Sequence, residues 1–217
     1  SNKSIDPTTV KFSHRPVKSE LSFIGDIHSD INSYKELSSL SKYSLQLGDL
    51  CNSSRISEFV KNKNSKYHKY IYGNHDWLRP DFTHPNHNLG DYGVWNISEF
   101  NLKIGYISGA NSIDELRRKT DVYDPWHENE QLSYNDLQDA IDLLTQSKPD
   151  VIVSHMAPLC AHDNLRLYSG YGLVKSRTMM ALESLFDEWQ PTLWVFGHYH
   201  QNKAFNVKGT LFVCVDQ

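Results

Sequence analysis

Phe196-Gly197-His198-Tyr199-His200 lies near the C-terminal end of the chain, directly after the apolar run Leu193 to Phe196. Two histidines two residues apart, placed where a buried strand gives way to a loop, can aim both imidazoles at one point, and histidine is the commonest metal ligand near neutral pH. The same local grammar recurs upstream. Leu21 to Ile24 leads into Gly25-Asp26-Ile27-His28, and Tyr43 to Leu47 into Gly48-Asp49. Tyr67 to Tyr72 leads into Gly73-Asn74-His75-Asp76, and Val151 to Val153 into Ser154-His155. Short apolar runs bounded by glycine read as buried strands, and open α/β sheets bind ligands beyond the carboxyl ends of their strands. Five such ends can share one site.

These five motifs, in this order and at these separations, resemble the motif set of the calcineurin-like metallophosphoesterases, and more narrowly its small bacterial and phage type. They run from Asp26 to His200, most of the chain. A lone Gly-Asp pair would be weak evidence; the ordered set is specific. The resemblance implies an α/β fold of four layers, α/β/β/α, with two mixed β-sheets flanked by helices.

It also implies the chemistry. A phosphate ester repels hydroxide, so a catalyst must neutralise the phosphoryl oxygens and supply a nucleophile at neutral pH, and two cations ~3.5–4 Å apart do both. Carried over position by position, Asp26, His28, Asp49 and His200 would hold one divalent metal, and Asp49, Asn74, His155 and His198 the other. Asp49 would bridge them, and a metal-bridging hydroxide would attack. A mixed imidazole, carboxylate and amide donor set suits Mn, Fe or Zn better than Mg or Ca, with Mn placed first. His75 would protonate the leaving oxygen and Asp76 would fix its tautomer.

Departures from the Ser/Thr protein phosphatase branch narrow the substrate: Ser29 follows the histidine of the first motif, Cys51-Asn52 replaces a VDRG segment, and Asp76 stands where that branch has Glu. Its phosphate-holding arginine is absent at that place, with Arg55 as a conceivable substitute. The expected activity is a phosphodiesterase acting on a nucleotide or nucleic-acid end. A phosphomonoesterase on a small metabolite is the alternative, and a non-catalytic scaffold or binding module of the same fold is a remote one.

The segment Ala110 to Leu132 mixes aromatic and charged residues between strands and looks too polar for core. It reads as a specificity loop at the metal cleft, with Arg117 and Trp126 as candidates for phosphate and ring contacts; a surface loop whose Trp126 fills a local gap is the other reading. His14, His68, His84, His87, His127 and His162 lack motif context and read as structural or surface residues.

Length and composition fit this frame. The 217 residues suit one domain, read as residues 21–217 preceded by an N-terminal arm of residues 1–20 with an edge strand at Val10 to Phe12. No apolar stretch reaches the ~20 residues that a membrane span needs, and Ser1 to Glu20 lacks a signal-peptide pattern. Three cysteines without CxxC spacing argue against a disulfide framework or thiolate zinc and fit a reducing cytoplasm. A net charge of -4 gives no global attraction to nucleic acid. Lys61, Lys63, Lys66 and Lys69 form either a solvated face or a phosphate-tracking patch. No obligate protein partner is implied.

Among the elements, Ser29 or Asp30 caps a helix carrying Tyr34, Leu37 and Leu40. Tyr92 to Ile97 and Leu102 to Ser108 read as a hairpin around Ser98-Glu99. Ser133 opens a helix that Pro149 ends, and helix Ser176 to Trp189 precedes the final strands, Leu193 to Phe196 and Thr210 to Val215.

Overall fold

The structure is a computed structural model that describes residues 4–12, 19–51, 56–76, 86–123, 125–167 and 173–216. Three strands, β1 (Ser19–Ile24), β2 (Ser41–Gln46) and β3 (His68–Tyr70), form a parallel sheet in the order β1-β2-β3. Six more form a mixed sheet: β4 (Tyr92–Ile97), β5 (Leu102–Ile107), β6 (Val151–Ser154), β7 (Leu193–Phe196), β8 (Lys203–Val207) and β9 (Thr210–Cys214). Their order is β4-β5-β6-β7-β9-β8, parallel from β5 through β9 and antiparallel at both edges. Of the two sheets anticipated as mixed, the smaller is therefore parallel throughout its described strands.

The period of two along each strand builds the layers. In the mixed sheet Val151, Val153, Val195, Leu211 and Val213 face Leu45, Leu47 and Ile71 of the parallel sheet in one core. The intervening Ile152, Trp194, Phe196 and Phe212 face outward into a second core, where they meet helices α4 (Tyr134–Ser147) and α5 (Arg177–Glu188) through Leu144, Leu182, Leu185 and Phe186. A third core lies on the outer face of the parallel sheet, where Ile24 and Tyr70 pack with Tyr34 of α1 (Ile31–Ser39) and Phe59 of α2 (Ile56–Val60). Near-continuous apolar strands are what burial on both faces requires. The four-layer sandwich follows.

Capping decides the helix starts. Asp30 rather than Ser29 caps α1, accepting the Ser33 N–H at 3.1 Å. Ser133 accepts the Asp136 N–H at 3.1 Å and Ser176 the Met179 N–H at 3.2 Å, opening α4 and α5. A short helix, α3 (Glu115–Arg118), lies within the segment Ala110 to Leu132.

Two expectations change. Val10 to Phe12 is not a strand: a 3-10 turn over Pro7–Thr9, capped by Asp6, precedes it, and Val10 and Phe12 pack half-buried against the inter-sheet core without joining a ladder. Conversely, β8 is an edge strand that the sequence pattern did not reveal. It joins β9 through Lys208 and Gly209, both at positive φ (47° and 83°), the backbone of a two-residue hairpin turn. The arm near Pro16, the stretch Trp77 to Pro85, Arg55, His14 and His84 lie outside the described residues.

Candidate metal centre

The carboxyl ends of β1, β2, β6 and β7 and the turn after β3 converge, and backbone hydrogen bonds tie the loops together. His28 N–H donates to the Asp49 carbonyl at 2.8 Å, and Gly197 N–H to the His155 carbonyl at 3.0 Å. His28, Asp49, His198 and His200 all sit at positive φ (45°, 52°, 73° and 51°). That left-handed region costs a non-glycine residue roughly 1–3 kcal/mol and persists where the surroundings over-determine it, typically at functional sites. Close packing adds a constraint at Gly73, where a Cβ would overlap Asp49 Oδ1 and lie 2.7 Å from His155 Nε2. Only glycine lets the third loop approach the others so closely.

Two groups of donor atoms result: Asp26, His28 and His200, and Asp49, His155 and His198. In the first, Asp26 Oδ2 is 3.6 Å from His28 Nε2 and 3.5 Å from His200 Nε2. In the second, His155 Nε2 is 3.2 Å from both Asp49 Oδ2 and His198 Nδ1, and 3.1 Å from Asn74 Oδ1. Asp49 Oδ2 also lies 3.9 Å from His28 Nε2, which puts this carboxylate between the groups. All seven side chains anticipated as ligands come together. They fit divalent cations on an observation independent of their order in the chain: Asp26 Oδ2 and His198 Nε2 are buried without a hydrogen-bond partner. A buried polar atom left unpaired costs roughly 1–3 kcal/mol, which a cation would offset.

Supporting bonds hold the donors in place. His155 Nδ1 bonds the Leu47 carbonyl at 2.8 Å, so Nε2 faces the centre. Asp26 Oδ1 accepts the His198 N–H at 3.1 Å, and Asp49 Oδ1 the His75 N–H at 2.9 Å. The charges are tightly coupled. Burial opposes the charge on Asp49, but His155, His75 and His28 together outweigh it and hold the carboxyl below its ordinary range. Burial likewise opposes charge on His155, yet Asp49 and Asp26 raise its pKa. His198 is pushed down by burial and by His155, so its imidazole stays neutral.

Asp76 is a clasp. Its Oδ2 accepts the N–H groups of Asp49 (2.7 Å) and Gly73 (2.8 Å), and its Oδ1 that of Cys51 (3.2 Å). Its carboxylate thus joins the second loop to the third. His75 is half-buried, its ring centroid 5.5 Å from that of His28.

The segment Ala110 to Leu132 departs from its reading as too polar for core. Arg118 and Glu130 are fully buried and paired at 2.5 Å. Ser112 Oγ joins them, accepting from Arg118 Nη1 and donating to Glu130 Oε2 at 2.6 Å. Asn74 Nδ2 donates to the same Ser112 oxygen at 2.9 Å, which leaves Asn74 Oδ1 turned toward His155. Sequence reasoning missed this support because Arg118 and Glu130 pair only once the segment folds back on itself. Arg117, expected at the cleft, is surface-exposed and engages Asp114 and Asp121. Trp126 Nε1 reaches Asn111 Oδ1 at 3.4 Å, with Lys119 Nζ 4.6 Å from its ring centroid. Neither Arg117 nor Trp126 lines the cavity beside the metal centre, whereas Asn111, Ser112, Ile113 and Asp114 do.

Of the histidines without motif context, His68 bonds Ser44 Oγ at 2.8 Å, His87 the His68 carbonyl at 2.9 Å, and His162 Tyr199 Oη at 2.6 Å. His127 precedes a 3-10 turn over Glu128–Glu130.

Comparison with known proteins agrees with the fold. The phosphopantetheinyl hydrolase of Mycobacterium tuberculosis is similar over 93% of this chain and 91% of its own, at 15% identity and a TM-score of 0.54. A dimetal phosphatase from Danio rerio is similar over 90% of this chain and 86% of its own, at 13% identity and a TM-score of 0.50. No protein of curated function matches the sequence. At such identities these likenesses speak for the fold alone. The family is shown by the sequence match itself, which spans residues 21–202 and so contains every strand end that carries a donor: the chain belongs to the calcineurin-like phosphoesterase family.

Proposed function

We propose that the protein is a two-metal phosphoesterase that cleaves phosphodiesters, with a nucleotide or nucleic-acid end as the substrate. The observation that carries this reading is the pair of adjacent donor groups with Asp49 between them, buried on one side and open on the other. Asp26, Asp49 and His155 side chains are at most 2% exposed, whereas those of His28 and His200 are 37% and 50% exposed, which leaves a substrate a way in. Cations bound there, with Mn first and Fe or Zn as alternatives, supply charge for the phosphoryl oxygens and a nucleophile at neutral pH. Asp26, His28, Asp49 and His200 would hold one ion and Asp49, Asn74, His155 and His198 the other.

The chain's own groups do the rest. Ser112 keeps the Asn74 amide from flipping, Leu47 keeps His155 in one tautomer, and Asp76 fixes the spacing of the second and third loops. His75, on the third loop and beside His28, would give a proton to the departing oxygen. The unit that acts is residues 21–217, because donors come from its first strand and from the loop after β7. Diester rather than monoester cleavage is favoured by charge: among the described residues Arg166 is the one Lys or Arg lining the cavity beside the centre, and a monoester dianion carries more charge than a diester.

The test is hydrolysis of phosphomonoesters, cyclic nucleotides, dinucleotides and short DNA or RNA in the presence of Mn. Turnover of diesters is expected; activity confined to monoesters would move the assignment to a small-metabolite phosphatase.

A further inference from the structure

Beside the metal centre, and continuous with it through His198 and His200, lies a cavity of about 190 Å³. Its walls differ from those of a site that reads a polar group. Ile113, Leu167, Leu173 and Val174 line it while 56%, 40%, 42% and 52% exposed, and Met156 and Met179, each 3% exposed, form its base. Apolar side chains scattered singly over a surface need no explanation. Four around one cavity form a patch of the kind that marks a binding site.

The polar atoms lining the cavity are already used by the protein. Asn111 Oδ1 accepts from Gln131 at 3.3 Å and from Trp126, and its Nδ2 donates to the Ser112 carbonyl at 3.3 Å. Ser112 Oγ serves Asn74, Arg118 and Glu130. Asp114 is neutralised by Arg117. Tyr199 donates its hydroxyl to His162 Nε2 and accepts the Ala157 N–H at 3.2 Å, while His162 Nδ1 bonds the Pro158 carbonyl at 2.9 Å. Ser176 Oγ caps α5 and faces the Met156 sulfur at 3.8 Å. What is left for a ligand is the apolar wall, the metal-facing histidines, and Arg166, whose guanidinium has no ion pair among the described residues.

We infer that this cavity receives an uncharged, apolar ester group of the substrate, about one ring or a short branched chain in bulk, while the phosphoryl group sits at the metal centre with Arg166 beside it. An apolar cavity of about 150 Å³ is enough to hold a benzene-sized ligand. A nucleobase edge placed against the apolar wall would give up its hydrogen bonds to water and, with Arg166 and the histidines turned to the phosphoryl group, regain few of them, a loss that disfavours a polar occupant. The inference rests on the proposed phosphoesterase reading and narrows it to a nucleotide diester whose second ester arm is apolar, because both arms of a nucleic-acid linkage are nucleosides.

The test uses binding rather than turnover. Phenylphosphonate and methylphosphonate share an anionic head and differ in the apolar group, so calorimetric titration of each into the Mn-loaded full-length chain isolates the cavity. Phenylphosphonate is expected to bind about tenfold tighter or better, the range for taking one ring out of water. Val174→Asp and Ile113→Asp, both at positions more than half exposed and therefore cheap to the fold, are expected to bring that ratio close to one. Arg166→Ala should weaken both phosphonates by a common factor and leave the ratio. Equal affinities in the unaltered chain, no binding of either compound, or a ratio that survives both aspartates would overturn the inference. Turnover of bis(p-nitrophenyl) phosphate in the same preparation reads the function separately: its absence alongside a phenyl preference sinks the phosphoesterase reading, and its presence alongside equal affinities sinks only the cavity assignment.

Discussion

Asp49 is the proposed shared ligand, its Oδ2 lying 3.2 Å from His155 in one donor group and 3.9 Å from His28 in the other. Asp49→Ala is expected to remove close to two metals per chain and to abolish activity, whereas His28→Ala mainly weakens one site. Elemental analysis of the purified variants measures this, and equal metal loss in both would count against a shared carboxylate. His75 poses a different question, because its backbone N–H supports Asp49 while its side chain is the candidate acid. His75→Ala keeps that N–H and should keep both metals. It should lose roughly 10²–10⁴-fold in rate on esters with alkoxide leaving groups, the usual scale of general-acid catalysis, and far less on p-nitrophenyl esters, whose leaving group needs no proton. A common factor on both leaving groups would reassign His75 to electrostatic support. The donors were legible because each motif is local: a small residue and one or two ligand-type side chains after an apolar run. The placement of Arg117 has an equally local cause, since Asp114 and Asp121 stand three and four positions from it, within reach on one helical turn.

At the scale of elements, the segment Ala110 to Leu132 braces the centre from behind. Ser112→Ala removes the acceptor for Asn74 Nδ2 and a partner of both buried charges. The expected outcome is a several-fold weaker affinity for one of two metals and a lowered melting temperature, since a buried polar group left unpaired costs about 1–3 kcal/mol. Metal titration followed by calorimetry checks this; unchanged affinity for both ions would mean that Asn74 is held without Ser112. The pattern of legibility is the same here. Strands β6 and β7 showed as apolar runs because they are buried on both faces. Edge strand β8 showed nothing, because one face is solvated and its turn, Lys208-Gly209, lacks the Asn or Asp that usually advertises a hairpin. Val10 and Phe12 gave a strand-like alternation that packing alone satisfies.

For the molecule as a whole, stability should depend on pH through groups far from the metals. Burial, with Lys63 and His87 nearby, depresses the pKa of His68 to about 4. The folded chain therefore holds this imidazole neutral while the unfolded chain, with its ordinary pKa near 6.5, takes up a proton first. Protons then favour unfolding, and the contribution is lost as pH falls from about 6.5 toward about 4. His68→Asn should flatten that part of a melting-temperature profile relative to the unaltered chain, with little change above pH 7; parallel profiles would show that His68 titrates normally. No helix among the described residues is long and apolar enough to cross a membrane. One consequence of the convergent strand ends concerns the order of events in folding. The His198 N–H reaches Asp26 across 172 residues of chain, so the first and last motifs meet only after nearly all intervening strands have paired. Contacts of such sequence separation form late and slow the search. Metal capture should consequently trail the burial of the sheets in a refolding experiment, which makes the rate of ion uptake a clock for the final step of assembly.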